Sequence, residues 1–178
     1  MQVDLQNKLS PALYSFLEKL GRLSKQRAGA AYLVGGFVRD LVLGIKSLDL
    51  DIMLEQEGMG FVSYIYEHWQ EHFAEYSAPK KPIIFKHYRT AKLNFESELI
   101  PGISLLEFAS ARREFYLTSG AKPEVEDGDL DSDIKRRDFS INAIMLSLSP
   151  DSFGDLIDKV SGLEDLKKAK WYLEKLIE

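Results

Sequence analysis

The sequence predicts an α+β domain in which helices flank a mixed sheet, and three patterns indicate this class. Apolar residues recur at helical spacing through residues 12–20. A short apolar run at 30–34 is typical of a buried strand, and apolar and acidic residues alternate at 48–54, as on a half-buried strand. The elements follow in the order helix, strand, helix, strand, helix, strands, helices, which favours a mixed sheet.

The first half of the chain has clear boundaries between its elements. Ser10 and Pro11 are typical of the N-cap and first position of a helix, which we expect at 12–20 and expect Gly21 to end. Gly44 has the position of a left-handed helix terminator. The expected elements after the strand at 30–34 are a helix at 37–43, a strand at 48–54 and a helix at 60–73.

The second half predicts a hairpin, a further strand and two helices. Ser161 and Glu164 have the spacing of a capping box for the last helix. A stretch rich in acids and glycine, 119–133, predicts a mobile loop. The expected elements are strands at 82–86, 88–95 and 103–109 and helices at 138–148 and 163–177. The expected division is an N-terminal helix at 1–25, a main domain at 26–160 and a C-terminal helix at 161–178.

Composition places the chain among ordinary globular domains. Its 178 residues are 45% hydrophobic and 29% charged, which allows one domain with a real core. The lack of cysteine excludes disulfides and thiolate metal sites and suits a reducing compartment. The N-terminus has no signal-peptide pattern, and no run approaches the roughly 20 apolar residues of a membrane span. We therefore expect a cytoplasmic protein without a membrane partner.

The net charge of −5 limits the partners that we expect. Proteins that grip nucleic acid usually carry a basic surface, because neutralised phosphates release counterions. An acidic chain can still bind a nucleotide through a few local cations and a metal ion. If a partner is RNA, we expect most of the RNA-binding surface to lie outside this chain.

A glycine pair stands between a predicted strand and a predicted helix. Gly35 and Gly36 would let backbone amides approach a ligand, and a helix N-terminus favours negative charge. Arg39 lies in the first turn, where a bound phosphate would explain a cation that the helix dipole does not favour. The alternative is a plain tight turn in which Arg39 pairs with Asp40 or another neighbour.

Three acids form a candidate metal site. Asp49 and Asp51 would share one face of a strand, because alternate residues point to the same side. Glu107, between Leu106 and Phe108 in an apolar strand, would join them if the two strands are neighbours. Oxygen ligands favour Mg²⁺, with Mn²⁺ as a substitute, and two such ions about 4 Å apart could flank a reacting phosphate. The alternatives are a strand whose solvent-exposed face simply carries Asp49 and Asp51, and an edge strand with Glu107 in solvent.

Basic residues follow in two groups. Guanidinium groups at Arg112, Arg136 and Arg137 suit bidentate contact with phosphate, although such runs are more often solvated patches. Asp138 could cap the predicted helix at 138–148, and Asn142, one turn into that helix, could face a ligand or solvent. His68 and His72 lack a third zinc ligand and are interpreted as ordinary helix residues.

Together these segments resemble the class II tRNA nucleotidyltransferase and bacterial poly(A) polymerase family, within the polymerase-β-like nucleotidyltransferases. The resemblance covers residues 30–166, and its specificity lies in the combination of short motifs. The matching motifs are YLVGGFVRD at 32–40, DLD at 49–51, EFASARREFY at 107–116, DIKRRDFSINA at 133–143, DLID at 155–158 and GLEDL at 162–166.

The resemblance implies a fold, a reaction and a role for each matching residue. It implies a head domain that moves a nucleoside monophosphate from ATP or CTP to an RNA 3′-hydroxyl, with magnesium as cofactor and pyrophosphate as leaving group. The implied metal ligands are Asp49 and Asp51, supported by Glu107 and Arg112. The implied triphosphate and ribose contacts are Gly35, Gly36, Arg39, Asp40, Arg136, Arg137, Asp138 and Asn142.

The sequence departs from the family in one large respect. Family members continue from the head into a neck that selects the incoming base, and into a body that binds tRNA. Here only the helix at 161–178, the expected start of a neck, follows the head motifs. We expect an excised head, half of a split enzyme with a partner chain that supplies neck and body, or a shortened member.

Two other functions remain open at this point. The chain could be a catalytically silent nucleotide-binding module, although both metal aspartates are present. It could also be a nucleotidyltransferase with an acceptor other than RNA.

Overall fold

The computed structural model describes residues 1–115 and 124–177, with side chains as far as residue 170. The helices are α1 (Leu5–Lys8), α2 (Pro11–Arg27), α3 (Gly36–Leu43), α4 (Gly58–Glu67), α5 (Trp69–His72), α6 (Leu130–Lys135) and α7 (Gly162–Ile177). The strands are β1 (Ala31–Val34), β2 (Leu50–Leu54), β3 (Ile83–Phe85), β4 (Thr90–Asn94), β5 (Leu105–Ser110), β6 (Arg112–Phe115), β7 (Glu124–Asp127), β8 (Met145–Ser147) and β9 (Leu156–Ile157). Short 3-10 turns lie at Lys86–Tyr88, Ser140–Asn142 and Pro150–Ser152.

A seven-stranded sheet forms the centre, in the order β3-β4-β5-β2-β1-β8-β9. Strands β2 and β5 run parallel, whereas the other neighbouring pairs are antiparallel. Strands β6 and β7 form a separate ribbon. The prediction of an α+β fold with a mixed sheet is confirmed.

The two faces of the sheet are covered differently. On one face, Leu33, Ile52 and Phe108 point into the main core beneath α2 and α4, with Phe16 and Phe73 fully buried there. On the other face, a smaller cluster around Tyr32, Met53 and Ile134 covers β1 and β8. Strands β5 and β4 carry Glu107 and Lys92 on this second face, and both side chains are about two-fifths exposed. The second face is therefore open beside β2.

Gly21 does not end its helix, contrary to the prediction, because α2 continues to Arg27. A Cβ atom built on Gly21 would lie 1.8 Å from the carbonyl oxygen of Leu148. Glycine is needed at this position for close packing of α2 against the chain that follows β8. The predicted N-cap is confirmed, since the Ser10 side chain accepts a hydrogen bond from the amide of Leu13.

The predicted helix at 138–148 is wrong. Residues there form the 3-10 turn Ser140–Asn142 and strand β8, which pairs with β1 and β9. Ile144, Met145 and Leu146 are all fully buried, so the stretch is a continuous apolar run. Such a run cannot distinguish a buried strand from a buried helix by periodicity.

Three other boundaries differ from the prediction. The helix at 60–73 is two helices, α4 and α5, divided at His68. The loop at 119–133 contains β7 and α6, and residues 116–123 lie outside the described part of the chain. Helix α7 is capped by Asp158, whose carboxylate accepts hydrogen bonds from the amides of Gly162 and Leu163, rather than by a Ser161–Glu164 box.

No helix in the described residues is long and apolar enough to cross a membrane. The cytoplasmic location and the division of the chain at residues 25 and 160 stay predictions.

The N-terminal helix α2 packs into the same core as the sheet, through Phe16, Leu17 and Leu20.

We expect Gly21→Ala to destabilise the protein by about 1–3 kcal/mol, because the added methyl group meets backbone rather than a flexible side chain. Urea denaturation measures this cost. The matched control is Gly60→Ala in α4, where the methyl group lies 3.4 Å from a flexible Glu57 carboxylate. That change should be neutral or stabilising by about 0.4–1 kcal/mol, and equal losses in both variants would contradict the packing explanation.

Candidate active site

The glycine turn lies directly against a carboxylate. Gly35 joins β1 to α3 with a φ of +72°, which L side chains rarely adopt. A Cβ atom built on Gly35 would lie 3.1 Å from Oδ2 of Asp51. The turn and Asp51 therefore share one small space, in which a ligand could meet backbone amides on one side and a carboxylate on the other.

Asp51 and Glu107 are brought together by strand pairing. They are direct partners in the parallel ladder of β2 and β5, and Val34 lies opposite Asp51 on β1. Neighbouring strands are about 4.8 Å apart, so the two acids are adjacent on the open face. The condition on which Glu107 would join the two aspartates, that its strand is a neighbour of the strand of Asp51, is therefore met.

Asp49 comes just before β2 rather than within it and is exposed. Asp49, Asp51 and Glu107 nevertheless line one small depression of about 130 Å³. No three His, Cys, Asp or Glu residues in the described chain already form a complete set of metal ligands. Mg²⁺ is commonly bound by one or two carboxylates together with water and substrate phosphates, so two aspartates at the rim of a depression fit this ion.

Electrostatics at Asp51 favour the arrival of a cation. Burial raises the pKa of Asp51, and the negative charges of Glu107 and Asp49 raise it further, while Arg137 and Lys92 act in the opposite direction. The ionised carboxylate is thus unfavourable in the protein alone. A divalent cation would remove this cost, since it would attract the acids that otherwise repel one another.

Glu107 has a partner that was not identified from the sequence. Lys92 on β4 lies opposite Glu107, and its Nζ is 2.5 Å from Oε1 of the acid. Lys92 alternates with the buried residues Ala91 and Leu93, a pattern that could have placed it on the open face. Lys92 lowers the negative charge on the β5 side of the site.

A fully buried carboxylate holds two of the predicted arginines. Asp133 has no exposed surface, and its Oδ1 accepts hydrogen bonds from Nε and Nη2 of Arg136, at 2.9 and 2.6 Å. Its Oδ2 accepts from Nε and Nη2 of Arg137, at 3.1 and 2.8 Å. Each guanidinium group is bound along one edge, which fixes its direction.

Glu114 brings the third arginine into the same cluster. Its Oε1 is bound by Nε of Arg112 at 3.0 Å and by Nη1 of Arg136 at 3.2 Å. Burial lowers the pKa of Arg112, and the nearby charge of Arg136 lowers it further. Three cations thus share the two acids Asp133 and Glu114, which leaves net positive charge for an anion.

A second hydrogen-bond network joins the helix after the glycine turn to Asn142, which follows Arg136 and Arg137 in the chain. Nε of Arg39 donates to Asp40 at 2.8 Å, and its Nη1 donates to Oδ1 of Asn142 at 3.0 Å. The pairing of Arg39 with Asp40, which the sequence left as the plain alternative, is therefore present. It coexists with the link to Asn142, which places residues 35–40 beside residues 137–142.

Asp138 is the predicted site residue that the fold leaves apart. It is exposed, and no side-chain hydrogen bond or ion pair of Asp138 occurs within residues 1–115 and 124–170. It caps no helix, because a 3-10 turn replaces the predicted helix.

Asp133 and Glu114 are the positioning residues that sequence reasoning missed. An acid three and four residues before two arginines was the available signal for Asp133.

Of the two histidines that were interpreted as ordinary helix residues, His72 lies in α5, whereas His68 lies at the break between α4 and α5. His68 stacks on Tyr64, and Nε2 of His72 lies 2.9 Å from the Tyr64 hydroxyl.

We expect Asp51→Asn to stabilise the protein in the presence of a metal chelator at neutral pH. The folded pKa of Asp51 is raised above its ordinary value of 3.8, so ionisation of Asp51 weakens the fold as pH rises through that raised value. The advantage of the variant should therefore be present at neutral pH and vanish below the ordinary carboxyl pKa. Urea midpoints across this pH range measure it, with the exposed Asp151→Asn as a control that should change little.

We expect Asp133→Asn to destabilise the protein by about 3–5 kcal/mol, because it leaves the largely buried guanidinium of Arg137 without its carboxylate partner and leaves Arg136 with Glu114 alone. Asp131→Asn, on the same helix, removes only an exposed pair with Lys159 and should cost less than about 1 kcal/mol. Thermal and urea unfolding of both variants test the difference. Similar losses would show that the two guanidinium groups do not depend on Asp133 as a counter-charge.

Similarity to known proteins agrees with this geometry. An A-adding tRNA nucleotidyltransferase of Aquifex aeolicus is 39% identical over 137 residues, which are 77% of this chain and 15% of that protein. A CC-adding tRNA nucleotidyltransferase of Deinococcus radiodurans is 35% identical over 162 residues, 90% of this chain and 39% of that protein. The chain thus spans well under half the length of these relatives.

Solved structures resemble the fold closely. An apo CCA-adding enzyme matches 92% of this chain and 35% of its own length, with a TM-score of 0.75 and 34% identity. The Thermotoga maritima CCA-adding enzyme complexed with tRNA matches 94% of this chain and 34% of its own length, with a TM-score of 0.70 and 31% identity. Other matches, with TM-scores of 0.69, are complexes of a CCA-adding enzyme with CTP and with ATP.

The family model described as the poly A polymerase head domain matches residues 31–171, a range that begins at β1 and contains the glycine turn, the three carboxylates and the arginine cluster. The chain belongs to the poly A polymerase head domain family.

Proposed function

We propose that this chain is the catalytic head of a tRNA nucleotidyltransferase, which transfers a nucleoside monophosphate from ATP or CTP to the 3′-hydroxyl of tRNA. The observation that carries the proposal is the closeness of the Gly35 turn to Asp51, since a Cβ atom on Gly35 would lie 3.1 Å from Oδ2 of Asp51, and Glu107 is the strand partner of Asp51. A phosphate cradle and a carboxylate pair in one space are what a metal-assisted attack on phosphorus needs. The relatives named above as tRNA nucleotidyltransferases support the choice of reaction.

Asp49 and Asp51 are proposed as the Mg²⁺ ligands, with Mn²⁺ as a substitute, and Glu107 as the third acid of a two-metal site. When bound, the metal would neutralise charge on the α-phosphate and on the attacking oxygen. Burial and the neighbouring charges of Glu107 and Asp49, which raise the pKa of Asp51, support this assignment. Lys92 would keep Glu107 oriented and partly neutralised on the β5 side.

The amides of Gly35 and Gly36, at the N-terminus of α3, are proposed to bind the triphosphate. Arg39, held by Asp40 and Asn142, would stand beside them. The cluster of Arg112, Arg136 and Arg137 would neutralise the charge that develops on the leaving pyrophosphate. Asp138, exposed and next to Arg137 in the chain, is kept as a proposed contact to ribose or phosphate.

The proposed reaction is an in-line displacement. The acceptor 3′-oxygen forms a bond to the α-phosphorus, and its proton is lost to water. The bond from that phosphorus to the bridging oxygen of the β-phosphate breaks, and pyrophosphate leaves with the electron pair. The protein's contribution is to position the reactants and to stabilise charge.

Base choice and most of the grip on tRNA are proposed to come from segments other than residues 1–178, on the same polypeptide or on a partner chain. The relatives are much longer than the matched region, and a CCA-adding enzyme with a similar head is a tRNA complex. In this proposal, residues 1–178 bind the phosphates and the metal ion, and the other segments bind tRNA and select the base.

We expect Asp49→Ala/Asp51→Ala to reduce incorporation of labelled nucleotide into tRNA by about a thousandfold or more, the rate equivalent of several kcal/mol of charge stabilisation. Calorimetric titration with ATP or CTP in Mg²⁺ should show binding to the wild-type chain and much weaker binding to the variant. Asp151→Asn, which changes an exposed residue of the 3-10 turn Pro150–Ser152, is the control for effects of purification and stability.

Each outcome separates one alternative. Nucleotide binding without any product, in an assay that also contains the segments proposed to bind tRNA, would favour a silent nucleotide-binding module. Product formation on a small molecule or protein, found by mass spectrometry with mixed acceptors, would replace tRNA as the acceptor. Absence of nucleotide binding in Mg²⁺, together with no effect of the aspartate substitutions, would end the proposal.

A further inference from the structure

A strongly basic segment stands out in an acidic chain. Residues 76–95 contain five Lys and Arg residues and no Asp or Glu, although the whole chain has a net charge of −5. This segment forms strands β3 and β4, the hairpin at the edge of the sheet. Lys80, Lys81 and Lys86 are exposed and have no ion pair within residues 1–115 and 124–170.

The hairpin also exposes apolar side chains on the face that carries the carboxylates. Ile83 is 50% exposed and Phe85 is 40% exposed. Ile83 lies opposite Lys92, which lies opposite Glu107, which is the partner of Asp51. Directly paired residues share a face, so a continuous row runs from Asp51 to Ile83 across about 14 Å of sheet.

Protection of a sheet edge explains only part of this surface. Lysine and proline on an edge strand discourage pairing with other chains, which suits Lys81 and Pro82. Edge protection does not explain why Ile83 and Phe85 face the solvent on the side of the sheet that carries Glu107 and Asp51. Ile84, between them, packs on the core.

The turn between β3 and β4 is bound to neighbouring parts of the protein. An Nη1 atom of Arg112 donates to the carbonyl oxygen of Tyr88, and Arg89 pairs with Asp127. The tip is therefore anchored to the β6–β7 ribbon and to the arginine cluster of the site. A fixed platform loses little conformational entropy when a ligand binds.

We propose that the open face of residues 80–92 is a platform for the single-stranded 3′ end of an RNA acceptor. Exposed Phe85 and Ile83 would pack against unpaired bases, and Lys80, Lys81 and Lys86 would neutralise the phosphates of the same strand. The row from Ile83 to Asp51 would lead the terminal 3′-hydroxyl toward the metal site, a few nucleotides beyond the stacked bases. This inference rests on the proposed function and assigns the acceptor side of that site.

The test measures binding of a short 5′-fluorescein-labelled single-stranded RNA by anisotropy, at several salt concentrations. Lys81→Gln/Lys86→Gln should weaken binding and reduce the log–log salt slope by about 1.4, that is about 0.7 for each phosphate that the variant no longer neutralises. The charge-matched control, Lys25→Gln/Lys167→Gln, removes two exposed lysines from α2 and α7 and should leave the slope unchanged.

The aromatic contribution is tested separately. Phe85→Ala should weaken RNA binding about tenfold, whereas Tyr66→Ala, which removes a 36% exposed ring from α4, should have no effect. A duplex RNA of the same sequence should compete poorly, because paired bases cannot stack on the platform. A photoreactive base a few nucleotides before the 3′ end should crosslink to the hairpin more than one at the end.

Calorimetry with Mg²⁺ and ATP on the same proteins separates this inference from the proposed function. Hairpin variants should retain nucleotide affinity, because none of the substituted residues lies in the metal or phosphate site. If the wild-type chain binds nucleotide but not the RNA, or if the hairpin and control variants bind RNA equally, the platform is refuted and the proposed function stands. If the wild-type chain binds no nucleotide in Mg²⁺ and the aspartate substitutions have no effect, the proposed function fails, whatever the RNA result.

Discussion

The parallel pairing of β2 with β5 is the constraint on which the site depends. It sets Asp51 beside Glu107 at a strand spacing, and the turn at Gly35 closes over Asp51 from the other side. Burial together with two neighbouring acids makes ionised Asp51 unfavourable in the protein alone. Repulsion among these acids therefore lowers the stability of the folded protein, and a bound divalent cation would remove that repulsion. The loss of stability lies at the place where the chemistry is proposed.

The positive charge of the site is held in place by two acids. Asp133 is completely buried, and its two oxygens orient Arg136 and Arg137, while Glu114 connects Arg112 to Arg136. A buried ion pair is weak support for stability, but it fixes direction well. The cluster keeps its guanidinium groups in place before any anion is bound, so that little reorganisation is needed when a polyphosphate arrives.

Local patterns predicted the elements with the clearest periodicity and caps. The N-cap at Ser10, the turn at Gly35 and Gly36 and the alternation around Asp51 all act within a few residues of chain. The same patterns failed where packing decided the outcome. Gly21 looked like a helix stop but serves a close approach to Leu148, and the apolar run at 144–146 became a central strand because β1 offers it a partner.

The sequence by itself determined which residue types were available for the chemistry: two aspartates at alternate positions, a glycine pair before a helix and arginines near an acid. Only the tertiary structure decided which of them meet. Strand register placed Glu107 beside Asp51 and Lys92 beside Glu107, and packing buried Asp133 under two arginines while it left Asp138 exposed. Contacts of this kind join residues far apart in the chain, and no local pattern encodes the sheet order that brings them together.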